Sequence, residues 1–115
     1  MVKKGVVHVI PALVTPYDDL GRVSESSLRK LIRWNIEKGA TGFYVGGSSG
    51  EALLLTLDER ERIAEIARSE VPAELALICH VGAPSTADAE RLARQAGRIG
   101  AEAISAIPLF YSITP

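Results

Sequence analysis

Two serines set among glycines, just beyond a short apolar run, are the first residues of this chain that could do chemistry: Gly46-Gly47-Ser48-Ser49-Gly50-Glu51, after Gly42-Phe43-Tyr44-Val45. Glycine tolerates the positive φ that lets consecutive backbone N–H groups converge, and two hydroxyls add rotatable donors. Such a loop suits a carboxylate or phosphate oxygen. It has neither the GxGxxG pattern nor the Lys-Ser/Thr of a P-loop, which disfavours a nucleotide and leaves a small carboxylate as the better fit. A plain flexible turn stands beside that reading, with Glu51 a helix-start carboxylate favoured by the dipole. Gly46-x-Ser48-x-Gly50 also matches the nucleophile elbow superficially, and His8 and His80 are available as bases, so a hydrolase is a further alternative.

Other candidates carry weaker signals. Tyr111, in Ile107-Pro108-Leu109-Phe110-Tyr111, could shuttle protons or stack at an interface; equally it could be a packed aromatic with a surface hydroxyl. His80 has no carboxylate or second histidine at ligand spacing, which favours a hydrogen-bonded structural histidine over a metal ligand or base. Cys79 beside it reads as a core thiol. The helical arginines read as solvated faces or subunit contacts rather than substrate clamps.

These residues need elements to position them. Val6 to Val14 is β-branched and apolar and reads as a buried strand, although Pro11 counts against a regular mid-sheet position. Ser24 offers a helix cap, Leu28, Leu31, Ile32 and Ile36 recur at helical spacing, and Gly39 stops the run. Phe43 to Val45 is a second strand. Thr56-Leu57-Asp58-Glu59 has capping-box form, with Ile63, Ile66 and Ala67 facing inward and Asp58 to Arg62 forming a solvated charged face. Leu75 to Val81 is a third strand, Pro84-Ser85-Thr86 opens a third helix that ends at Gly100, and Ala103 to Ile107 is a fourth strand. Strands alternating with amphipathic helices predict parallel pairing with right-handed crossovers. Two architectures use that unit, the open doubly wound sheet and the eight-stranded (β/α) barrel, and both bind ligands at the C-terminal ends of strands. The serine loop falls at that end.

Length and composition narrow the classes. The chain has 115 residues, 47% apolar and 23% charged, which fits one soluble globular domain over residues 1–115. A formal net charge of −1, with both signs interspersed and 5% aromatic residues, argues against nucleic-acid and membrane-surface partners. The single cysteine, Cys79, excludes an internal disulfide and fits a reducing compartment, so a cytoplasmic location is expected. Pro11 and Pro16 break the apolar N-terminal stretch, against a signal peptide, and no run reaches the ~18 apolar residues of a membrane span.

Four blocks in order, "KLIRWNIEKGATG", "GFYVGGSSGEALLLTLDERERI", "LICHVGAPSTADAERLA" and "AISAIPLFY", carry a family resemblance. From about Val9 to Tyr111 the chain resembles the N-terminal part of the N-acetylneuraminate lyase branch of the dihydrodipicolinate synthase family of class I aldolases. The tyrosine before Gly-Gly-Ser-Ser-Gly-Glu favours that branch over the synthases. The resemblance implies a TIM (β/α)8 barrel, here half of one with four parallel strands and three helices, and a homo-oligomer, the family being tetrameric. It implies a carbon–carbon lyase that reversibly cleaves a sialic acid, a 2-keto acid, to pyruvate and N-acetylmannosamine, without metal or organic cofactor. Ser48 and Ser49 match the hydroxyl pair that holds the keto-acid carboxylate and joins the proton relay, with the backbone of Gly47, Gly50 and Glu51 completing the cradle. Tyr111 matches the tyrosine that reaches toward a neighbouring subunit's site. Ser49 stands where threonine is common, and Leu109 and Ser112 where proline and tyrosine are. Alternatives are a dihydrodipicolinate synthase or sugar-acid aldolase of the same family, and a non-catalytic half-barrel for binding or assembly.

One family part is missing. The Schiff-base lysine belongs to a later strand, whereas the lysines here are Lys3, Lys4, Lys30 and Lys38, none at the C-terminal end of an expected strand. The expectation is a truncated N-terminal half, inactive alone, whose open apolar edges drive association.

Overall fold

A computed structural model describes residues 7–108. Helices and strands alternate: α1 (Glu25–Glu37), β1 (Gly42–Val45), α2 (Leu57–Glu70), β2 (Ala76–His80), α3 (Thr86–Arg98) and β3 (Ala103–Ser105). A one-turn 3-10 helix, Ala52–Leu54, lies between β1 and α2.

The helices begin where local chemistry satisfies their first N–H groups. Ser24 accepts from the Ser27 N–H at 3.3 Å and Ser85 from the Asp88 N–H at 3.2 Å. Thr56 and Glu59 form the reciprocal capping box, at 3.1 and 2.9 Å. Past α1 the chain reverses through Gly39, whose φ of +102° a side chain would resist. Ion pairs join the helices to each other: Arg29 and Arg33 of α1 grip Glu70 of α2, and Arg91 of α3 grips Asp58 and Glu61 of α2. These arginines therefore tie the helical layer together.

β1, β2 and β3 lie side by side in sequence order, all parallel, with Tyr44 opposite Ile78 and His80 opposite Ser105. The expected first strand, Val6 to Val14, is not a regular strand over its described residues 7–14. Its extended backbone runs beside β1 and makes one parallel bridge, Ala12 to Tyr44. Leu13 N–H donates to Tyr44 O at 2.9 Å, Tyr44 N–H to Pro11 O at 3.0 Å and Thr41 N–H to Val9 O at 2.8 Å. In a parallel ladder the donor before residue 13 is residue 11, and proline has no N–H to give. The sheet thus has three strands and an irregular edge rather than four strands.

Phe43, Val45, Leu77 and Cys79 of the strands join Leu28 and Ile32 of α1, Ile63, Ala64 and Ala67 of α2, and Leu92 and Ala96 of α3 in a single buried cluster. All three helices therefore cover one face of the sheet. On the other face Tyr44 and Ile78 are only half-buried, and Ile10, Ala12, Val14, Ala103 and Ile107 are exposed. A doubly wound sheet carries helices on both faces; sequential parallel strands with helices on one face follow the barrel plan.

Candidate functional site

The loop that leaves β1 is held closely. Gly46 has a φ of +73°. Gly47 faces Tyr44 so tightly that a β-carbon on it would lie 2.5 Å from Tyr44 Cε1. The loop then closes on itself: Gly50 N–H donates to Gly47 O at 3.1 Å, Glu51 N–H to Ser48 O at 3.0 Å and Ala52 N–H to Gly47 O at 3.2 Å. From the edge segment, the buried Thr15 hydroxyl donates to Gly50 O at 2.6 Å. So the turn is pinned at both ends. Glu51 does not open a helix as its position suggested. It sits in the left-handed region, φ 61° and ψ 40°, before the 3-10 turn, and α2 begins only at Leu57.

Between the pins, the Ser48 and Ser49 side chains are exposed, and neither hydroxyl bonds to a described residue. The N–H groups of Gly47, Ser48 and Ser49 likewise donate to no described residue. Three backbone donors and two hydroxyls thus stand together at the C-terminal end of β1. That set can take the oxygens of one small anion.

His80, at the end of β2, is buried and belongs to the framework. Its Nδ1 lies 2.9 Å from Gly46 O and 3.3 Å from Arg60 Nη2, and Ile107 N–H donates to its Nε2 at 3.4 Å; the Gly46 and Ile107 contacts suit the Nδ1-protonated tautomer. Burial pushes its pKa below the ordinary value and the Arg60 charge adds to this, against the Gly46 carbonyl's opposite pull. With both ring nitrogens engaged, His80 is no base for Ser48 or Ser49. Nor does Ser48 sit on the sharp strand-to-helix turn of a nucleophile elbow, so the hydrolase alternative loses its geometry. Burial pushes the Cys79 thiol up to about 11, which makes it a core residue and not a nucleophile.

Arg60 corrects the expectation of a wholly solvated charged face over residues 58–62. It is buried, donating to Gly82 O at 2.8 Å and His80 O at 2.9 Å, and so fixes the turn after β2. The signal was available: Arg60 stands three and four residues before Ile63 and Ala64, on the apolar side of α2. Tyr44 and Ser105 were also missed as site residues. The Tyr44 hydroxyl donates to Ser105 Oγ at 3.1 Å across β2, and its ring lies 6.2 Å from that of His80. A serine at alternating position in an otherwise apolar strand was the available hint. Tyr17 stands on the same rim, where burial first and then the Glu51 carboxylate beside it push its phenol above the ordinary value.

Tyr111, Lys3 and Lys4 lie outside the described residues. Lys30 and Lys38 are exposed, on α1 and at its end, and neither approaches the loop of Ser48. Among the described residues no group of three or more histidine, cysteine or carboxylate side chains could hold a metal, and no helix is long and apolar enough to cross a membrane.

Comparison with known proteins matches this geometry to one family. An N-acetylneuraminate lyase from Escherichia coli (strain SE11) is 46% identical over 103 residues, 90% of this chain and 35% of that protein. The Ruminococcus gnavus sialic acid aldolase superposes with a TM-score of 0.89 at 36% identity, over 94% of this chain and 36% of its own. Dihydrodipicolinate synthase from Aquifex aeolicus gives 0.81 at 29% identity, over 86% of this chain and 33% of its own. These neighbours are TIM-barrel aldolases, and the chain spans about a third of their length. The model of the dihydrodipicolinate synthetase family matches residues 6–115, and this chain is a member of that family.

Proposed function

We propose that residues 1–115 form the N-terminal half of a (β/α)8-barrel Schiff-base aldolase that cleaves a sialic acid, N-acetylneuraminate, reversibly to pyruvate and N-acetylmannosamine. The observation that carries the reading is the pinned loop after β1, with two exposed serine hydroxyls and three unspent N–H groups at the end of the sheet where barrel enzymes bind. The names of the N-acetylneuraminate lyase and sialic acid aldolase relatives favour this substrate over that of the synthase branch.

In this proposal Ser48 and Ser49, with the backbone from Gly47 to Glu51, hold the carboxylate and set the neighbouring C2 carbonyl toward a lysine of a later strand. The amine adds to C2 and water leaves, giving an iminium. Loss of the C4 hydroxyl proton breaks the C3–C4 bond, its electrons pass to the iminium, and the aldehyde sugar departs. Protonation of the enamine carbon and hydrolysis then release pyruvate and restore the amine. A serine hydroxyl of the cradle relays protons, and Tyr111 completes the site of a neighbouring subunit in a homo-oligomer. A reducing cytoplasm suits the single buried thiol.

The test is borohydride reduction with pyruvate, on the protein that carries this segment, followed by peptide mapping. The expected adduct falls on a lysine outside residues 1–115. An adduct on Lys30 or Lys38, or none with full turnover, overturns the proposal. Ser48→Ala and Ser49→Ala should each weaken keto-acid binding about ten- to a hundredfold, since each bond to a charged carboxylate is worth about 1.5–3 kcal/mol. Unchanged affinity reduces the loop to a plain turn.

A further inference from the structure

Tyr44 and Ser105, with the buried His80 that stands opposite Ser105 and 6.2 Å from the Tyr44 ring, are the polar residues on a face that is otherwise apolar. Around them on the side of the sheet that carries no helix stand Ile10, Ala12, Val14, Ile78, Ala103 and Ile107. Tyr44 and Ser105 are half-buried, and both stand at the C-terminal ends of their strands, Tyr44 last but one in β1 and Ser105 last in β3. Their hydroxyls share one hydrogen bond of 3.1 Å, and no other partner for either is found among the described residues.

Two hydroxyls have two protons, and one shared bond uses one of them. Whichever way that bond points, one O–H donor is left over. A hydroxyl already accepting a hydrogen bond is polarised into a better donor. The pair also lies against the anion loop. A β-carbon on Gly47 would be 3.6 Å from Tyr44 Cζ, the carbon that bears the hydroxyl, so the phenol ring backs the first residue of the cradle.

We infer that Tyr44 and Ser105 are the floor of the carboxylate site: the ring sets the position of Gly47, and the hydroxyl pair gives one further donor to the bound keto acid. This rests on the reading of the Ser48–Ser49 loop as a carboxylate cradle and adds a second group of ligand contacts to it. The two hydroxyls act as one unit, because removing either breaks the shared bond and leaves the other to reorient.

The experiment is titration of sodium pyruvate into the isotope-labelled chain, followed at the amides of Gly47, Ser48 and Ser49, for five variants. Ser105→Thr keeps the hydroxyl and should hold the parent affinity, while Ser105→Val, nearly the same shape without the hydroxyl, should weaken binding by roughly tenfold or more. Tyr44→Phe should weaken it by a similar factor, and Tyr44→Phe with Ser105→Val by no more than either alone. Equal affinity of the Thr and Val variants, or losses that multiply in the double variant, overturns the inference, since a merely structural strand residue would give one or the other. Ser48→Ala separates the two levels. If it weakens binding while the Thr and Val variants bind alike, the cradle stands and the floor falls; if it too leaves binding unchanged, the cradle reading falls as well.

Discussion

Gly47→Ala should destabilise the protein by an amount that depends on Tyr44. Gly47 is not in the left-handed region, so alanine can take its backbone and space alone decides the cost. The added β-carbon would sit 2.5 Å from Tyr44 Cε1 and 3.2 Å from Cδ1, whereas carbon atoms rest about 3.5–4.0 Å apart. The ring or the loop must move by about 1 Å to reach that separation. Movement of the ring draws its hydroxyl away from Ser105 Oγ, now at 3.1 Å, and a bond lost this way is worth about 1 kcal/mol. Overpacking itself costs about 1–3 kcal/mol, for a total of about 2–4 kcal/mol. Urea unfolding followed by circular dichroism measures this directly. Gly97→Ala is the control: Gly97 lies within α3 with nothing within 4 Å of its β-position, and alanine there should add about 0.5–1 kcal/mol. In a Tyr44→Ala background the cost of Gly47→Ala should nearly vanish. An equal cost in both backgrounds, or a loss under about 0.5 kcal/mol in the parent, refutes the contact as the reason glycine stands there.

Thr15→Val removes the donor to Gly50 O at nearly constant volume and should cost about 1–3 kcal/mol, read by thermal melting, with the Ser48 and Ser49 amides broadening in solution spectra. Arg60→Met leaves the carbonyls of His80 and Gly82 without their shared donor and should cost about 2–4 kcal/mol; Arg60→Lys should not recover it, because an ammonium lacks the planar fork. Because burial lowers the folded-state pKa of His80, the unfolded chain takes up that proton first. Stability from this residue is therefore complete above its ordinary value of 6.5 and declines as pH falls toward the lower folded value. Urea midpoints between about pH 8 and pH 5.5 should show that decline and lose it in His80→Asn, since the carboxylates titrate below this window; the same slope in both proteins refutes the assignment.

Much of this was legible in the chain because the chemistry is local. Ser24, the Thr56–Glu59 pair and Ser85 start helices by bonds that reach only three residues ahead, and each start lies where those residues placed it. The three strands from β1 onward likewise followed from short β-branched runs between turns. What escaped were partnerships made across the fold. Thr15 reaches Gly50, Arg60 reaches Gly82 and Tyr44 reaches Ser105, at separations of 35, 22 and 61 residues. No local pattern announces such bonds. Glu51 failed for another reason: a carboxylate near a helix was read as its first turn, whereas the left-handed backbone at Glu51 and a 3-10 turn intervene before α2. Pro11 gave fair warning, and the missing N–H is what broke the expected first strand.

That broken edge bears on how the serine loop stays ordered. The strip from Val9 to Leu13 is held beside β1 by few backbone bonds and by the Thr41 hydroxyl, which accepts from Val9 N–H at 2.8 Å and donates to Val9 O at 3.3 Å. It can open as a unit while β1 and β2 remain paired, and such partial openings need less free energy than global unfolding. Yet the same strip leads into Thr15, the residue that latches Gly50. The loop is therefore fastened to the irregular edge of the sheet. Hydrogen exchange at Leu13 and Tyr44 reports the frequency with which that latch is released, and the Ser48–Ser49 loop loses its fixed shape on the same clock.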